Sequence, residues 1–524
     1  MHPSRLRGAP LAAVLLVLGL LLSGCGLFGG STNSSSDAPS QEAGRSSDAP
    51  SQEAGQSPAV PVGLASYYGQ RLAWSSCQGS FECAELRVPL DYARPAGTSI
   101  RLALLRVRST GKRLGSMVIN PGGPGGSGVD YAKAAESVYG SAIRERYDVV
   151  GFDPRGVDRS DPVECESDRQ FNKLLVSDPD PDTAAERRYS NRLLRTFGRG
   201  CLQRSGGIAR HMSTVEVAKD LDVLRAALGD RQLTYFGASY GTAIGATYAD
   251  LFGPNVGRMV LDGALDPESS TLELNLVQAK GFETALRAYV GACVDRGSCF
   301  LGSTVDQGTR RIRTFLDSVE RRPLATSDGR QLTIGNAVYG INFPLYEKTV
   351  WPTLDQALEN AFAGDGSLLM LLADGYLSRN ADDTFKDNSF QAFYAVNCLD
   401  HDDAVPQSRL PRILPRFERA SPTFGASFAW STTSCGQWPI HSGKGPVRVS
   451  AAGSPPILVV GTTRDPATPL VWAEALAKHL PQGRLIIRDG DGHTGYNQGS
   501  SCVDDAVESY LTAGKVPTRT LRCS

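Results

Sequence analysis

The fold of this chain is decided by GASYGT at residues 237–242, which lies between a strand-like and a helix-like run. The strand-like run is residues 232–236 and the helix-like run is residues 240–252. In a G-x-S-x-G turn, small residues two positions before and after the serine let the backbone bend sharply from strand to helix. The flanking runs supply the context that so short a motif needs. We therefore predict a nucleophile elbow with Ser239 at its tip.

Length and charge limit the class of protein. The chain has 524 residues, enough for a large core and two or three domains. Its formal net charge is -1 and its pI is about 6.6. Such a chain has no overall field that would attract nucleic acid. We expect no nucleic-acid partner.

The amino terminus indicates export. Arg5 and Arg7 precede an apolar stretch at residues 11–22, which has the length of a signal-peptide core and is short for a membrane span. Residues 1–24 are predicted to be a lipoprotein signal peptide, since LSGC at 22–25 resembles the bacterial lipobox. Lipidated Cys25 would anchor the protein to the outer face of the cell membrane. The alternative is an ordinary signal peptide that contains a cysteine.

Residues 25–58 are predicted to be the lipid-attachment cysteine followed by a flexible tether. They are rich in Ser, Gly, Pro and Ala, and the decapeptide at 35–44 is repeated at 46–55. A segment with so few apolar residues cannot offset the entropy cost of ordering. The tether would hold the folded part of the chain away from the lipid surface.

The chain has 11 cysteines, and an even number remains when Cys25 is set aside. An even number in an exported chain suggests disulfides, whereas free thiols would fit a cytosolic protein better. No C-x-x-C pair occurs, so we expect no zinc or other metal site. Spacing does not select among the many pairings, and our prediction joins sequence neighbours. The predicted pairs are Cys77 with Cys83, Cys165 with Cys201, Cys293 with Cys299, Cys398 with Cys435, and Cys502 with Cys523.

After the tether the chain alternates strands and helices, as a parallel-sheet protein does. A helix with an S-x-x-E capping box at Ser213 and Glu216 precedes the elbow strand. We predict a mostly parallel α/β sheet domain formed by residues 59–267 and 446–524, with a large cap domain inserted at residues 268–445. The predicted strands are residues 100–107, 116–119, 147–152, 232–236, 258–261, 456–460 and 484–487.

A serine nucleophile needs a base within hydrogen-bond reach and a third group that orients the base. Of the six histidines, only His493 lies in a glycine-rich loop, DGDGHT at residues 489–494, directly after the last predicted strand. A C-terminal strand of such a sheet would deliver a base to the edge that carries the serine. We predict that His493 is the base.

The acid is expected between these two residues, because α/β hydrolases run Ser, acid, His along the chain. Asp465 leaves a predicted strand in GTTRDPATP at residues 461–469. Its rivals are Asp262 and Asp266 after the preceding strand, and an Asp beside Gly or Pro commonly caps a turn. We predict Asp465 as the acid. Thr468 could either orient its carboxylate or cap the next helix.

Acyl transfer also needs backbone N–H groups aimed at the developing oxyanion. NPGGPGGSG at residues 120–128 follows a predicted strand, and its glycines let the backbone approach a substrate closely. We assign the N–H groups of Gly123 and Tyr240 to this oxyanion hole. The loop also contains G-x-G-x-x-G, a dinucleotide-binding pattern, but Pro124 stiffens the turn and an exported protein has poor access to NAD. No cofactor is expected.

Several motifs together resemble one family. They are PGGPG at 121–125, FDPRGV at 152–157, LDG at 261–263, CGQWP at 435–439 and DPATP at 465–469. From about residue 65 onward the chain is similar to the tripeptidyl aminopeptidase branch of the prolyl-aminopeptidase-like serine peptidases, and especially to actinobacterial cell-envelope serine hydrolases described as carboxylesterases or proteases. The resemblance implies an α/β-hydrolase fold and a Ser-Asp-His triad. Pro121 stands where prolyl aminopeptidases carry histidine, which argues against proline specificity.

The resemblance also implies cleavage of peptides from a free N-terminus, with a cap that limits substrate length. Such an enzyme needs an acidic cap residue to pair with the substrate ammonium, and Asp400 is our candidate. The adjacent residues 401–403, His-Asp-Asp, are interpreted as a charged loop rather than a metal site. The alternatives are an esterase or lipase acting on envelope lipids and a non-catalytic envelope-binding lipoprotein. We expect peptide or ester substrates and a monomeric protein.

Overall fold

Ten strands form one sheet within residues 61–443 and 445–524, the part of the chain that the computed structural model describes. The predicted signal peptide, Cys25 and the tether lie outside the described residues. Two further strands, β8 and β9, pair only with each other. The strands in chain order are β1 (Ser75–Cys77), β2 (Phe81–Pro89), β3 (Ser99–Val107), β4 (Gly115–Asn120), β5 (Tyr147–Phe152), β6 (Leu233–Ala238), β7 (Val256–Asp262), β8 (Leu324–Ala325), β9 (Gln331–Leu332), β10 (Ile457–Arg464), β11 (Gly483–Asp491) and β12 (Leu521–Cys523).

The order of strands across the sheet is β1-β2-β3-β5-β4-β6-β7-β10-β11-β12. Pairings among β1, β2, β3 and β5 are antiparallel, and from β5 to β12 every neighbouring pair is parallel. The strand that leads into the elbow, β6, lies between β4 and β7. Because parallel strands end at the same edge, the loops that follow β4, β6, β7, β10 and β11 meet there. This is the α/β-hydrolase sheet expected from the sequence.

Burial explains why the central strands are continuous apolar runs. All six residues of β5 are buried, as are the first six of β10. Along β6, Tyr235 belongs to the core on one face of the sheet and Phe236 to the core on the other. Successive side chains of a strand point to opposite faces, so a sheet covered on both sides needs apolar residues at nearly every position.

Helices cover both faces and also fill a long segment between β7 and β10. The helix before the elbow strand begins as predicted, because Ser213 and Glu216 form a capping box at its start. The α-helices in chain order are α1 (Ala65–Tyr68), α2 (Gly128–Lys133), α3 (Ala135–Val138), α4 (Ser141–Arg144), α5 (Asp168–Leu175), α6 (Ala184–Ser205), α7 (Thr214–Ala227), α8 (Gly241–Leu251), α9 (Thr271–Asp295), α10 (Val305–Arg321), α11 (Ile334–Leu345), α12 (Trp351–Phe362), α13 (Ser367–Tyr376), α14 (Ser389–Asp400), α15 (Leu410–Ala420), α16 (Gly425–Ser431), α17 (Leu470–His479) and α18 (Ser501–Ala513).

The segment between β7 and β10, called the helical insert below (residues 268–445), contains α9 to α16 and the β8–β9 ribbon. β7 and β10 are neighbours in the sheet, so the insert interrupts the chain without interrupting the sheet. The insert buries a hydrophobic core of its own, with Leu286, Ile312, Ile341, Leu354 and Leu369 fully enclosed. This separate core accounts for the loss of strand and helix alternation in the sequence of this segment.

Five disulfides join the cysteines of the described chain, in the pairs predicted from sequence. The bond between Cys398 and Cys435 connects the end of α14 to the turn after α16, and the bond between Cys502 and Cys523 ties α18 to β12. The other pairs are Cys77–Cys83, Cys165–Cys201 and Cys293–Cys299. Among the described helices, none combines the length and apolar character needed to cross a bilayer.

Candidate active site

Ser239 occupies a sharp turn between β6 and α8. Its φ is +56°, a left-handed conformation that is uncommon for residues other than glycine. The two glycines of the motif have no room for a side chain: a Cβ on Gly237 would lie 2.4 Å from the Gly241 carbonyl oxygen, and one on Gly241 would lie 2.7 Å from the Asn120 carbonyl oxygen. The turn therefore requires glycine at both positions, and a strained serine backbone is typical of functional turns.

His493 and Asp465 are in direct contact at this edge of the sheet. The Nδ1 atom of His493 lies 2.9 Å from each carboxylate oxygen of Asp465. Asp465 is fully enclosed, and its carboxylate also accepts hydrogen bonds from the backbone N–H groups of Ala467, Thr468 and Thr494. These three backbone donors fix the carboxylate and, through it, the orientation of the imidazole.

The hydroxyl of Thr468 donates to Asp465 at 3.0 Å and lies 3.3 Å from His493 Nδ1. Of the two roles considered for Thr468, the structure shows the contact with the carboxylate, while the residue before α17 is Pro469. The hydroxyl bridges the acid and the base at their point of contact.

Opposing effects set the pKa of His493. Burial lowers the pKa of His493, whereas the charge of Asp465, the hydrogen bond to Asp465 and the charge of Asp262 raise it. The resulting pKa lies above the ordinary value of 6.5. Because Asp465 engages Nδ1, Nε2 is the ring nitrogen left to accept a proton. Within the described residues, Nε2 hydrogen-bonds to no other group.

Ser239 and His493 lie on either side of the end of β7. The backbone N–H of Ser239 donates to the Asp262 carbonyl oxygen at 2.8 Å. A Cβ on the next residue, Gly263, would lie 3.2 Å from the Cε1 atom of His493. The dipeptide Asp262-Gly263 therefore adjoins both the elbow and the imidazole.

The glycine-rich loop after β4 packs directly on the elbow. A Cβ on Gly122 would lie 2.7 Å from the Tyr240 nitrogen and 2.8 Å from the Ser239 Cβ. Gly122 and Gly123 have φ values of +94° and +110°, which residues with side chains rarely adopt. Among the described residues, the N–H groups of Gly123 and Tyr240 have no hydrogen-bond acceptor. Both donors are thus left for a ligand beside the serine.

The two rival acids have other partners. Asp262 is buried and accepts hydrogen bonds from the backbone N–H groups of Gly495 at 2.8 Å and Tyr496 at 2.9 Å. Burial raises its pKa to about 6. Asp262 therefore holds the loop that carries His493 without touching the imidazole. Asp266 accepts from the Glu268 N–H and lies 3.7 Å from His479.

Asp400 lies at the end of α14, against the start of α7. Its carboxylate accepts hydrogen bonds from the Thr214 N–H at 2.9 Å and from the Thr214 hydroxyl at 2.5 Å. The Thr214 hydroxyl also contacts the phenol of Tyr240, the residue after the serine. Asp400 is thus connected to the elbow through one threonine, and its role toward a substrate amine stays a prediction.

Tyr346, a residue of the helical insert, was missed by the sequence reasoning. Its carbonyl oxygen accepts the backbone N–H of His493 at 2.8 Å. Its ring meets the imidazole edge to face, with the two ring centroids 5.3 Å apart. Its hydroxyl lies 3.2 Å from that of Tyr376. No local motif marks Tyr346, because its partner is about 150 residues away; the only signal is the richness of this segment in aromatic residues.

Comparisons with known proteins find relatives that cover most of the chain. The family model described as "TAP-like protein" matches residues 421–523. The chain is 37% identical over 481 residues to "Serine protease Hip1" of Mycobacterium tuberculosis, covering 87% of this chain and 91% of that protein. It is 35% identical over 535 residues to "Carboxylesterase B" of the same species, covering 99% of each. It is 32% identical over 467 residues to "Tripeptidyl aminopeptidase" of Streptomyces lividans, covering 86% of each.

Proposed function

This chain belongs to the tripeptidyl-aminopeptidase-like family of α/β hydrolases and is a serine hydrolase, and from that premise we propose that it is an exported, lipid-anchored peptidase that releases short peptides from a free N-terminus. Peptidase activity is supported by the relatives named as a serine protease and a tripeptidyl aminopeptidase. The helical insert would act as a cap that closes over the substrate and limits its length.

In the proposed reaction Ser239 is the nucleophile. Its Oγ attacks the acyl carbon while His493 Nε2 takes the hydroxyl proton. Asp465 keeps the other ring nitrogen protonated and stabilises the imidazolium. The N–H groups of Gly123 and Tyr240 stabilise the tetrahedral oxyanion. His493 then gives its proton to the leaving amine, and water cleaves the acyl-enzyme by the same steps.

One observation carries this proposal. His493 Nδ1 is bound to both carboxylate oxygens of Asp465, and the imidazole lies beside Gly263, which follows the residue that accepts the Ser239 backbone N–H. A base with its second nitrogen free, held by an enclosed acid at a strained serine, is the arrangement that activates a hydroxyl. Fluorophosphonate labelling of the wild-type protein and not of Ser239→Ala would support this assignment; equal labelling of both would rule it out.

A carboxylesterase is the second candidate, favoured by the relative that covers 99% of this chain. The same triad serves esters and amides, because the acyl-enzyme forms with either leaving group. The deciding experiment compares free and N-acetylated peptide amides with short acyl esters on the purified protein. Loss of peptide cleavage on acetylation supports the aminopeptidase. Equal cleavage of both peptides, or turnover of esters alone, removes it.

Membrane anchoring rests on the LSGC sequence at residues 22–25. We expect mass spectrometry of the membrane-extracted protein to show a lipidated Cys25 as its first residue. In a Cys25→Ser variant this modification should be absent and the protein should leave the membrane fraction. An unmodified amino terminus in the wild-type protein would remove the anchor from the proposal.

A further inference from the structure

The turn that follows α11 in the helical insert lies directly on the loop that carries His493. The Tyr346 carbonyl oxygen accepts the backbone N–H of His493 at 2.8 Å. A Cβ on Gly492 would lie 2.9 Å from the same carbonyl oxygen, so glycine at this position permits the close approach. Two residues after Tyr346, the Lys348 ammonium lies 2.7 Å from the Asp491 carboxylate. The insert is therefore in contact with three consecutive residues of the loop.

The side chain of Tyr346 lies against the imidazole and is itself held by two other aromatic residues of the insert. Its ring centroid is 5.3 Å from that of His493, in an edge-to-face arrangement. Phe282 of α9 packs edge to face against the Tyr346 ring, with the centroids 5.9 Å apart. The Tyr346 hydroxyl lies 3.2 Å from that of Tyr376. Packing and a hydroxyl contact of this kind fix a side chain that supports a reacting group.

The insert also lies on the loop that carries the acid. A Cβ on Gly281 of α9 would lie 2.5 Å from the Pro466 carbonyl oxygen and 3.2 Å from the Asp465 carbonyl oxygen. The helix is therefore in direct contact with the backbone of the acid. Gly281 precedes Phe282, so two consecutive residues of α9 contact the acid loop and the Tyr346 ring. One helix of the insert thus connects the supports of the acid and the base.

We propose that Tyr346 is a positioning residue for the base, and that through its carbonyl group and its ring the helical insert holds the imidazole of His493 beside Asp465. The inference rests on the proposed role of His493 as the base. The acid and the base lie on loops that follow two different strands, and catalysis is sensitive to small changes in their separation. The insert therefore contributes to the reaction even when the substrate is too small to need a cap.

The Tyr346 ring also limits the access of water to the imidazole. Burial lowers the pKa of His493, while the charges of Asp465 and Asp262 raise it. The phenol of Tyr346 adds no charge, because burial raises its pKa well above the ordinary value of 10. Removal of the ring would admit water and weaken the one effect that lowers the pKa of His493. That pKa should therefore rise.

Two substitutions of Tyr346 test this role with p-nitrophenyl acetate, whose two-carbon acyl group offers the insert little surface to bind. Tyr346→Ala should lower kcat about tenfold or more and move the acid limb of kcat/KM to higher pH, since the base must lose a proton of higher pKa. Tyr346→Phe keeps the ring and the carbonyl group and should retain the wild-type acid limb. An unchanged limb in Tyr346→Ala, or an equal movement in both variants, would overturn the proposal.

Tyr339→Ala is the matched control for a general loosening of the insert. Tyr339 belongs to α11, is half-buried as Tyr346 is, and stacks on Tyr376 with the ring centroids 5.4 Å apart. Among the aromatic contacts of the described chain, the ring that meets the imidazole is that of Tyr346. Tyr339→Ala should lower the thermal unfolding temperature without moving the acid limb. A limb that moves equally in Tyr339→Ala and Tyr346→Ala would overturn the assignment to Tyr346.

Titration of isotope-labelled histidines by NMR measures the pKa of His493 without catalysis. The signal of this imidazole is identified by its absence from His493→Gln, and its midpoint should lie higher in Tyr346→Ala than in the wild-type protein. Equal midpoints, with ester turnover lost in His493→Gln, would overturn this inference alone. Full turnover by His493→Gln would overturn the proposed role of His493 and this inference with it.

Discussion

The carboxylate of Asp262 accepts the backbone N–H of Tyr496 at 2.9 Å, and so ties the end of β7 to the loop that carries His493. A second bond, from the Gly495 N–H, completes the attachment. Asp262 thus acts on the site in two ways: it positions the histidine loop, and its charge contributes to the raised pKa of His493.

Asp262→Asn should move the acid limb of the activity profile to lower pH. The base must be neutral to accept a proton, so activity falls as the pH drops through the pKa of His493, which lies above 6.5 in the wild-type protein. Removing the Asp262 charge removes one contribution that raises this pKa. The measurement is kcat/KM against pH. Asp266→Asn, whose carboxylate faces His479, is the control and should leave the limb in place. A limb that stays fixed or rises in Asp262→Asn would contradict this account.

Asp465→Asn should lower kcat by about 10⁴-fold, because an amide cannot hold the imidazole in the tautomer that leaves Nε2 free. The fold should persist, as judged by circular dichroism. Asp489→Asn changes an exposed aspartate on β11 and should leave kcat within a factor of about two, since surface substitutions of this kind have small effects. Comparable losses in the two variants would show that Asp465 has no special role.

Gly122→Ala should reduce kcat by about 10²-fold or more, the effect of disturbing an oxyanion donor. The added Cβ would meet the backbone of Ala238 at 2.6 Å and the Tyr240 nitrogen at 2.7 Å, so the elbow must shift. Gly229→Ala provides a matched control: its φ is also positive, at +78°, but its Cβ would enter open space. That variant should lose about 1 kcal/mol of stability and retain full kcat. Equal activity of the two variants would refute tight packing of the loop on the elbow.

The disulfides should differ in their contribution to stability. Cys398 and Cys435 close a loop of 37 residues, whereas Cys77 and Cys83 close one of 6. In the chain-entropy model, removing the first should cost about 4 kcal/mol and removing the second about 2 kcal/mol. Thermal unfolding of the two double Cys→Ala variants measures the difference. A larger loss from the shorter loop would show that native contacts outweigh loop closure.

Much of the fold was predictable because its signals are local. The apolar runs of the central strands, the capping box at Ser213 and Glu216, and the serine turn each involve residues a few positions apart. The outer strands β1, β2 and β12 were missed, since β1 and β12 have only three residues each and the first four residues of β2 are only half-buried. Short or half-exposed strands carry little periodic pattern.

The sequence by itself determined that a serine elbow, a glycine-rich loop, an acid and a histidine follow strands of one sheet. Only the tertiary structure decided which aspartate contacts His493, because Asp262 ends β7, Asp465 follows the neighbouring parallel strand β10, and their carboxylates bind different parts of the histidine loop. It also brought Tyr346 of the helical insert to the imidazole. Local backbone preferences are encoded within a few residues, whereas such contacts depend on how the whole chain packs.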